Sequence, residues 1–469
     1  MNKQVVAVIL GSGLGLLSCG ALMAQRGPGG PPPPGPGQGQ PGQGQPGQGQ
    51  QPPAQPAAQP PAAAGERAAD PGVRTGPSLA GAPLPGLTSG ERAIFEQGKI
   101  AFDEVDGVDE GLGPRFNLDS CGGCHSAPST GGTSPALNPQ IAAATKLGAL
   151  NRVPPFLDAN GPVRVVRFRR TPDGRPDGGV HALFVITGRS DAPGGCRIQQ
   201  PDFAQPGNIV FRIPTPVFGL GLIEAIPDST LRANLAANAA RRDALGIHGR
   251  FNTNGNDGTI TRFGWKAQNK SLQIFSGEAY NVEVGVTNEL FPQEREEDPA
   301  CSITAPVEDR ADHDRGSFAD VELFTQFMRL LDAPRTAPSN ASIERGRQLF
   351  DATGCAACHT PLLRTGRSSV AALNQKDVRL YSDLALHDMG GALNDGIAQG
   401  GARGGDWRTA PLWGLSQRLF FLHDGRARNL VDAILMHDSR GSEASAVIAN
   451  YNGLALAQQQ DLLAFLRSL

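Results

Sequence analysis

The chain has 469 residues, a formal net charge of −3 and 39% hydrophobic residues. This length is sufficient for two domains, and the near-neutral charge gives no basic surface for nucleic acid, so none is expected among the partners. Glycine (61 residues) and proline (39) are abundant but unevenly spread, which predicts that one part of the chain does not fold.

Residues 1–24 have the features of a secretory signal. Lys3 precedes an apolar stretch, residues 5–17, which is too short to cross a bilayer. The stretch ends in Leu-Leu-Ser-Cys, which is similar to a bacterial lipobox with Cys19 as the lipidated residue; cleavage after Ala24 is the alternative. We expect an exported protein of the periplasm or cell envelope, attached to the outer membrane only through a lipid on Cys19.

Residues 25–86 form the glycine- and proline-rich part of the chain. Residues 27–64 consist almost entirely of Gly, Pro, Gln and Ala. Such a tract cannot bury enough apolar surface to offset the entropy lost on ordering, so we expect a disordered linker with local polyproline-II structure. A long spacer behind a lipid anchor would let the folded body stand away from the membrane.

Two short motifs identify the cofactor. Residues 121–125 read CGGCH and residues 355–359 read CAACH. C-x-x-C-H is the attachment signature of c-type haem, in which two thiols bind the porphyrin and the histidine binds iron. A thioredoxin-like redox pair followed by a chance histidine is the alternative for a single copy. We therefore predict two covalently bound c-type haems. The attachment residues are Cys121, Cys124, Cys355 and Cys358, and the proximal iron ligands are His125 and His359.

The sequence around these motifs repeats. Residues 96–102 (EQGKIAF) match residues 344–350 (ERGRQLF), where Ser342 is the expected N-cap, and residues 212–220 match residues 408–415. We predict a mainly α fold of two cytochrome c-like haem domains that arose by internal duplication. The N-terminal haem domain covers residues 87–335 and the C-terminal one covers residues 336–469.

The N-terminal half is longer than a minimal cytochrome needs. Residues 163–169 and 180–186 flank a turn-rich segment and predict an inserted β-hairpin. Helical periodicity is present in residues 321–331, a proline-containing boundary follows at 333–340, and an amphipathic helix is expected at 458–469. The two remaining cysteines, Cys196 and Cys301, fit a disulfide in an oxidising compartment, and two free thiols are the alternative.

Five longer strings connect the chain with a known family. They are NIVFRIPTPVFGLGLIEAIPD at residues 208–228, RFGWKAQ at 262–268, YSDLALHDMG at 381–390, and WRTAPLWGL with FLHDGRA within 407–427. Over residues 87–469 the chain resembles the bacterial di-haem oxidoreductase family. That family is related to the di-haem cytochrome c peroxidases and the methylamine-dehydrogenase-maturing di-haem enzymes.

The resemblance implies that the N-terminal haem is open to peroxide. His125 would then be its proximal ligand, Trp265 a relay between the haems, and Glu283 the distal carboxylate that moves a proton. A solvated Glu283 and a merely packed Trp265 are the alternatives. Two positions depart from the superfamily pattern: Phe275 aligns with its distal glutamine, and Lys266-Ala267 replaces an Asp-Gly pair.

The resemblance also implies a six-coordinate C-terminal haem that passes electrons. In the superfamily the distal ligand follows a His-Asp-Gly string at a fixed interval, and that interval leads from His423 to His437. We predict His437 as the distal iron ligand and His423 as a hydrogen-bond donor to a haem propionate. The other candidates for the distal position are Met436, His387 and Met389.

Two functions follow from these features. The first is an exported enzyme that reduces hydrogen peroxide or a related oxidant, or uses it to oxidise a partner, with a small redox protein as electron donor. The second is a non-enzymatic electron carrier in which both irons are six-coordinate. Some relatives carry calcium at the domain interface, and no motif in this sequence identifies such a site.

Overall fold

Helices form most of the regular structure of the computed structural model, which describes residues 68–75, 80–294, 298–301, 310–312 and 316–469. The twelve α-helices within these ranges are Ser89–Asp103 (α1), Cys121–Cys124 (α2), Gln140–Ala143 (α3), Leu220–Glu224 (α4), Asp228–Ala237 (α5), Ala239–Ala244 (α6), Leu272–Ala279 (α7), Asp320–Leu330 (α8), Ala341–Ala352 (α9), Leu430–Leu435 (α10), Ser445–Asn452 (α11) and Leu456–Leu466 (α12). The nine strands there are Arg115–Phe116 (β1), Val165–Phe168 (β2), Val180–His181 (β3), Phe184–Val185 (β4), Ile209–Arg212 (β5), Leu363–Arg364 (β6), Asp377–Val378 (β7), Leu386–Asp388 (β8) and Asp406–Arg408 (β9).

The protein is 32% helical and 11% strand, which corrects the prediction of a mainly α fold to a mixed fold in which helices predominate. The physical reason is that the long connections between helices in both halves pair with one another as short antiparallel strands. The described residues belong to one compact unit. The division at residues 335/336 and the cytochrome c-like character of each part stay predictions.

The helix before each Cys-x-x-Cys-His motif packs against a later helix of the same half. α1 packs against α8, and α9 packs against α12. At each crossing the first helix contributes a glycine, Gly98 or Gly346, and a backbone carbonyl of the partner helix occupies the space that a Cβ would need. The predicted repeat at 96–102 and 344–350 therefore has the same packing role in both copies.

The helices predicted ahead of the motifs, at 321–331 and at the C-terminus are confirmed by α1, α9, α8 and α12. The predicted N-cap of α9 is wrong. Asn340 caps this helix, and its side-chain oxygen accepts a hydrogen bond from the Ile343 backbone N–H at 2.9 Å. Ser342 already lies inside the first turn, where its hydroxyl donates to Asp461.

The predicted hairpin is confirmed where β2 pairs antiparallel with β3, with Val166 opposite His181. β5 adds a third strand on the other side of β2. The second half of the predicted hairpin strand behaves differently, because Phe184 pairs with Phe116 in a separate two-stranded sheet, β1–β4. The Asn117 side chain accepts a hydrogen bond from the Leu183 backbone N–H at 3.1 Å and fixes this change of partner.

The predicted disulfide between Cys196 and Cys301 is confirmed. The two Cα atoms are 4.6 Å apart, and both residues are buried in the main hydrophobic core. The bond joins positions separated by 105 residues of the N-terminal half.

Residues 68–75, which the sequence assigns to the linker, contact the C-terminal half. The Asp70 carboxylate accepts two hydrogen bonds of 2.7 Å from the Arg467 guanidinium and another of 2.7 Å from the Leu430 backbone N–H. Arg467 also donates to the backbone carbonyls of Leu415 and Arg418. Burial by itself raises the pKa of Asp70, but these hydrogen bonds outweigh it and lower the pKa below its ordinary value.

The predicted signal region, residues 1–24 with Cys19, and the linker as far as residue 67 lie outside the described residues. Within the described ranges, the structure contains no helix that combines the length and the apolar character needed to cross a membrane.

Replacement of Asp70 by Asn should lower the free energy of unfolding by about 3 kcal/mol, because it leaves the Arg467 guanidinium buried without a counter-charge. Folding lowers the pKa of Asp70, so its stabilising contribution is complete above the unfolded-state pKa of about 3.9 and is lost as the pH falls through the lower folded-state value. Urea unfolding at neutral pH should show the full difference, and unfolding near about pH 3 should show a smaller one.

The matched control for this variant is Asp173→Asn, which breaks an exposed ion pair with Arg175 and should leave the unfolding midpoint unchanged. Equal stability of the wild-type protein and the Asp70→Asn variant at neutral pH would contradict a structural role for residues 68–75.

Candidate haem sites

Two cavities each contain one Cys-x-x-Cys-His motif. The N-terminal cavity, of about 1030 Å³ with its open part included, is lined by Cys121, Cys124 and His125. The C-terminal cavity, of about 1450 Å³ measured in the same way, contains the corresponding residues of the 355–359 motif. Both walls are mostly apolar, so each cavity suits a large, flat and largely apolar ligand.

The histidine of each motif is held by a hydrogen bond to a backbone carbonyl. His125 Nδ1 lies 3.0 Å from the carbonyl oxygen of Gly132, and His359 Nδ1 lies 2.9 Å from that of Tyr381. Because a carbonyl can only accept, Nδ1 carries the proton in both rings and Nε2 keeps its lone pair. Burial lowers the pKa of both histidines to about 4, so both are neutral at physiological pH.

A third histidine of the same kind lines the C-terminal cavity. His437 follows the last turn of α10, which begins after the N-cap Asn429. Its Nδ1 lies 2.7 Å from the Ala433 carbonyl oxygen, and burial lowers the pKa of His437. His359 and His437 therefore share one arrangement in the C-terminal cavity: a neutral imidazole whose Nδ1 is bound to a backbone carbonyl and whose Nε2 atom is available as a ligand.

These residues fit a covalently bound haem in each cavity. The four motif cysteines form no disulfide, and burial raises the pKa of each thiol above its usual value. A neutral imidazole whose other nitrogen donates to the backbone is the usual form of an iron ligand. A haem in each cavity would be held by the two thiols and the histidine of its motif and would supply iron-based redox chemistry.

The structure separates the other candidates for the distal position. His387 is held between two carboxylates, with Nε2 3.0 Å from Asp383 and Nδ1 2.7 Å from Glu443, so neither nitrogen is available to iron. Met436 is the C-cap residue of α10 and does not line the C-terminal cavity, whereas Met389 does. His437 stays the predicted ligand, with Met389 as the alternative inside the cavity.

The state of His387 follows from the same carboxylates. Burial alone would lower the pKa of His387, but the adjacent Cys358 sulfur and Asp383 carboxylate raise it well above its ordinary value. The ring is therefore an imidazolium locked by hydrogen bonds.

His423 is neutral, unlike His387. Burial lowers the pKa of His423 to about 3, and its ring stacks on Trp407 with centroids 3.8 Å apart. It lines the C-terminal cavity, and its hydrogen bond to a propionate stays a prediction.

Trp265 lines both cavities. Its indole Nε1–H donates to the Ile213 carbonyl at 2.8 Å, and its own carbonyl accepts from the Arg408 backbone N–H at 3.0 Å. The next residue, Lys266, is fully buried and forms an ion pair of 3.2 Å with Asp395. Trp265 is therefore fixed in the wall that the two cavities share.

Glu283 lines the N-terminal cavity, which brings it together with His125 and Trp265. It lies in a π-helical turn, Tyr280–Val284, that continues α7, and such turns are frequent at functional sites. Asn117 contacts this turn twice: its backbone N–H donates to the Glu283 carbonyl at 2.8 Å, and its side-chain amide lies 3.4 Å from the carboxylate. The sequence-predicted residues of the N-terminal site thus share one cavity.

Two further residues of this cavity were not found by sequence reasoning. Gln268 lines it, and the Gln268 side-chain oxygen is buried with no hydrogen-bond partner. Phe275, which aligns with the superfamily glutamine, lines the same cavity, so an amide is present at a different position of the chain. Met328 of α8 is the second residue that sequence reasoning did not find. Its thioether is a potential iron ligand that only the folded structure brings to this cavity.

Two apolar cavities, each with a neutral motif histidine and two buried thiols, suit a protein that binds two haems. A family model described as "Di-haem oxidoreductase, putative peroxidase" matches residues 198–469, and the chain belongs to this family. The matched residues include Trp265, Glu283 and the second motif, whereas the first motif precedes them.

Similar solved structures include the hydrazine synthase of Kuenenia stuttgartiensis, with 14% identity, a TM-score of 0.33, and coverage of 89% of this chain and 99% of that one. A MauG-like protein associated with microbial copper homeostasis is similar at 17% identity and a TM-score of 0.27, over 47% of this chain and 77% of that one. No curated protein matches the chain.

Replacement of Cys121 and Cys124 together by Ala should leave one covalently attached haem per chain instead of two. The C-terminal motif lies in a separate cavity and keeps its own thiols. Haem staining after denaturing electrophoresis and acid–acetone extraction measure the attachment directly. Two haems that remain resistant to extraction in this variant would contradict the assignment of the first motif.

His437→Met should raise the reduction potential of the C-terminal haem, because a thioether stabilises ferrous iron better than an imidazole does. Spectroelectrochemical titration measures this potential, and Met436→Leu is the matched control, since Met436 does not line the cavity. A low-spin spectrum and an unchanged potential in His437→Ala would transfer the distal position to Met389.

Proposed function

We propose that the protein is an exported di-haem c-type cytochrome oxidoreductase that reduces hydrogen peroxide, or uses it to oxidise a partner. The N-terminal haem would be the open site of peroxide chemistry, and the C-terminal haem would pass electrons from a small redox protein. Family membership supports a di-haem oxidoreductase. The difference between the two cavities supports the division of labour.

That difference is the observation on which the proposal rests. In the C-terminal cavity His437 presents the same neutral, carbonyl-bound imidazole as His359. Among the described residues that line the N-terminal cavity, His125 is the only histidine, and Glu283 is the only carboxylate. An iron in the C-terminal cavity would be closed by the imidazoles of His359 and His437, whereas an iron in the N-terminal cavity would face Glu283, a group suited to proton transfer.

Glu283 is proposed to move a proton between the two oxygen atoms of the peroxide. Cleavage of the oxygen–oxygen bond requires a proton on the leaving oxygen, and a carboxylate in a largely apolar cavity can accept it from one oxygen and donate it to the other. Asn117 holds the backbone of the π-helical turn and so keeps the carboxylate in the cavity. The unpartnered Gln268 oxygen offers a second polar contact for a small ligand.

Trp265 is proposed as the relay between the two haems. It lines both cavities, so it is in reach of groups on either side, and its hydrogen bond to Ile213 fixes the ring. If Trp265 only packs in the wall, replacement of its indole ring should leave electron transfer between the two haems unchanged.

The second candidate function, a non-enzymatic electron carrier, is favoured by one specific residue. Met328 lines the N-terminal cavity and could close its iron as a sixth ligand. The resting spectrum distinguishes the two functions, because an open iron gives a high-spin component and two closed irons do not. Met328→Leu should leave the spectrum unchanged if the N-terminal iron is open.

Export and lipid attachment are proposed from residues 1–24. Lys3, the short apolar stretch and Cys19 support this part of the proposal. Release of the protein from the membrane fraction of its native host in a Cys19→Ser variant would support lipidation. Equal solubility before and after the change would favour cleavage after Ala24.

Glu283→Gln should slow the reaction with hydrogen peroxide about 10²–10⁴-fold while both haems stay bound, because the amide cannot exchange a proton between the two oxygens. Stopped-flow absorbance after mixing with peroxide measures the rate. The matched control is Glu278→Gln on the same helical segment, because the Glu278 carboxylate binds Asn269 and does not line the cavity. A Glu283→Gln variant that reacts at the wild-type rate would favour the electron-carrier function.

Trp265→Phe should have a different effect, in which peroxide still reacts at the N-terminal site but spectral changes no longer reach the C-terminal haem. Trp413→Phe is the control, because Trp413 is buried but lines neither cavity. Simultaneous spectral changes at both haems in Trp265→Phe would rule out the relay.

A further inference from the structure

Two arginines line the C-terminal cavity without a carboxylate partner. Arg408 and Arg418 are each only 8% exposed, and both belong to the cavity wall. Arg408 donates to the carbonyls of Gly264 at 3.0 Å and Thr409 at 3.5 Å, and Arg418 donates to the carbonyl of Phe420 at 3.0 Å. A second nitrogen of Arg418, Nη2, is buried without any hydrogen-bond partner. Within the described residues, neither guanidinium forms an ion pair.

Other buried arginines of the protein differ from Arg408 and Arg418 in having a carboxylate partner. Arg212 and Arg467 are buried to a similar degree, but each is paired with a carboxylate. A guanidinium nitrogen of Arg212 lies 2.8 Å from Asp395, and one of Arg467 lies 2.7 Å from Asp70. Arg242 is also buried without a carboxylate in the described part of the chain, but it lines neither cavity. Arg408 and Arg418 are thus the buried cations that face the C-terminal cavity with no counter-charge.

Two unpaired cations that face one cavity favour an anionic ligand there. An ionised group in an apolar interior costs several kcal/mol unless it is paired, and burial alone lowers the pKa of both arginines to about 10. Among the described residues, Glu443 is the only carboxylate that lines the C-terminal cavity, and it is already bound to His387. Two cations that face one apolar cavity therefore predict a ligand with two negative charges and a large apolar body.

We propose that Arg408 and Arg418 bind the two propionate carboxylates of the haem in the C-terminal cavity. Charge-assisted hydrogen bonds from guanidinium to carboxylate are among the strongest in proteins, and they would satisfy the free Arg418 nitrogen. This inference rests on a haem in that cavity and not on peroxide chemistry. It assigns to Arg408 and Arg418 a role in binding the anionic groups of the haem, which the Cys-x-x-Cys-His motif does not supply.

The surroundings hold both arginines in place before any ligand binds. The backbone N–H of Arg408 donates to the Trp265 carbonyl, and the Arg418 carbonyl accepts from Arg467, the partner of Asp70. One cation is therefore attached to the tryptophan between the cavities, and the other is attached to the segment formed by residues 68–75. Preorganised cations of this kind bind an anion without paying for reorganisation.

Reduction potentials test the proposal without any use of peroxide. Removal of a positive charge next to a haem disfavours the ferrous state, so Arg408→Met and Arg418→Met should each lower the ferrous-to-ferric ratio of the C-terminal haem at a fixed ambient potential. We expect at least a tenfold change in the double variant, which corresponds to 59 mV for a one-electron couple. The N-terminal haem should keep its potential. Arg364→Met is the control, because Arg364 is exposed and paired with Asp377.

The charge-conserving variants Arg408→Lys and Arg418→Lys keep the proposal testable if the methionine variants do not incorporate haem. They should retain the potential but shift the propionate bending bands in resonance Raman spectra of the C-terminal haem, because a lysine replaces the fork geometry with a point charge. Unchanged potentials in a double methionine variant with two bound haems, or unchanged propionate bands in the lysine variants, would overturn the proposal. Loss of peroxide reactivity alone bears only on the proposed function.

Discussion

The proposed iron sites depend on one type of hydrogen bond, from an imidazole Nδ1–H to a backbone carbonyl. It occurs at His125, His359 and His437, with acceptors on three unrelated segments. A carbonyl cannot donate, so each bond fixes the tautomer, and burial lowers the pKa so that no proton competes for Nε2. His387 shows the contrast, because its carboxylate partners accept from both nitrogens and keep the ring charged. Among the histidines that line the cavities, the group that accepts from Nδ1, a carbonyl or a carboxylate, therefore distinguishes candidate iron ligands from His387 better than proximity to the cavity does.

The positions of the two motif histidines, His125 and His359, depend in turn on two glycines. Gly98 and Gly346 allow α1 and α9 to approach their partner helices so closely that a carbonyl fills the Cβ position. The aromatic residue one turn later then reaches the motif histidine: the ring centroids of Phe102 and His125 are 5.9 Å apart, and those of Phe350 and His359 are 6.4 Å apart. The sequence repeat thus specifies a helix crossing and an aromatic wall as well as two haem attachment motifs.

Local patterns in the sequence were sufficient for α1, α8, α9 and α12 and for the first hairpin pairing, because these depend on periodicity and spacing over a few residues. The features that were missed depend on contacts between distant segments. The pairing of Asp70 with Arg467 joins residues 397 positions apart, and Gln268 and Met328 reach the N-terminal cavity only after α7 and α8 pack. Substitution of the superfamily's Asp-Gly was visible in the sequence, but its consequence was not. Ala267 keeps a left-handed backbone, with φ of 49°, at a position where glycine is free of strain.

Lys266 stands where the superfamily has the Asp of its Asp-Gly pair. Its charge affects which of two tryptophans, Trp265 or Trp407, can lose an electron. The Lys266 ammonium is held by the carbonyls of Arg403, Gly404 and Asp406 and lies 3.9 Å from the Trp407 ring centroid. Burial lowers the pKa of Lys266 to about 8, so the group remains mostly charged at neutral pH. A cation above the ring stabilises neutral Trp407 and opposes the removal of an electron from it. Both indoles donate their Nε1–H to a carbonyl, Trp265 to that of Ile213 and Trp407 to that of Leu393, so this hydrogen bond does not distinguish them. Among the described residues, Trp265 has no cation over its ring. Of the two tryptophans that line the C-terminal cavity, the charge distribution therefore favours Trp265 as the one that is oxidised.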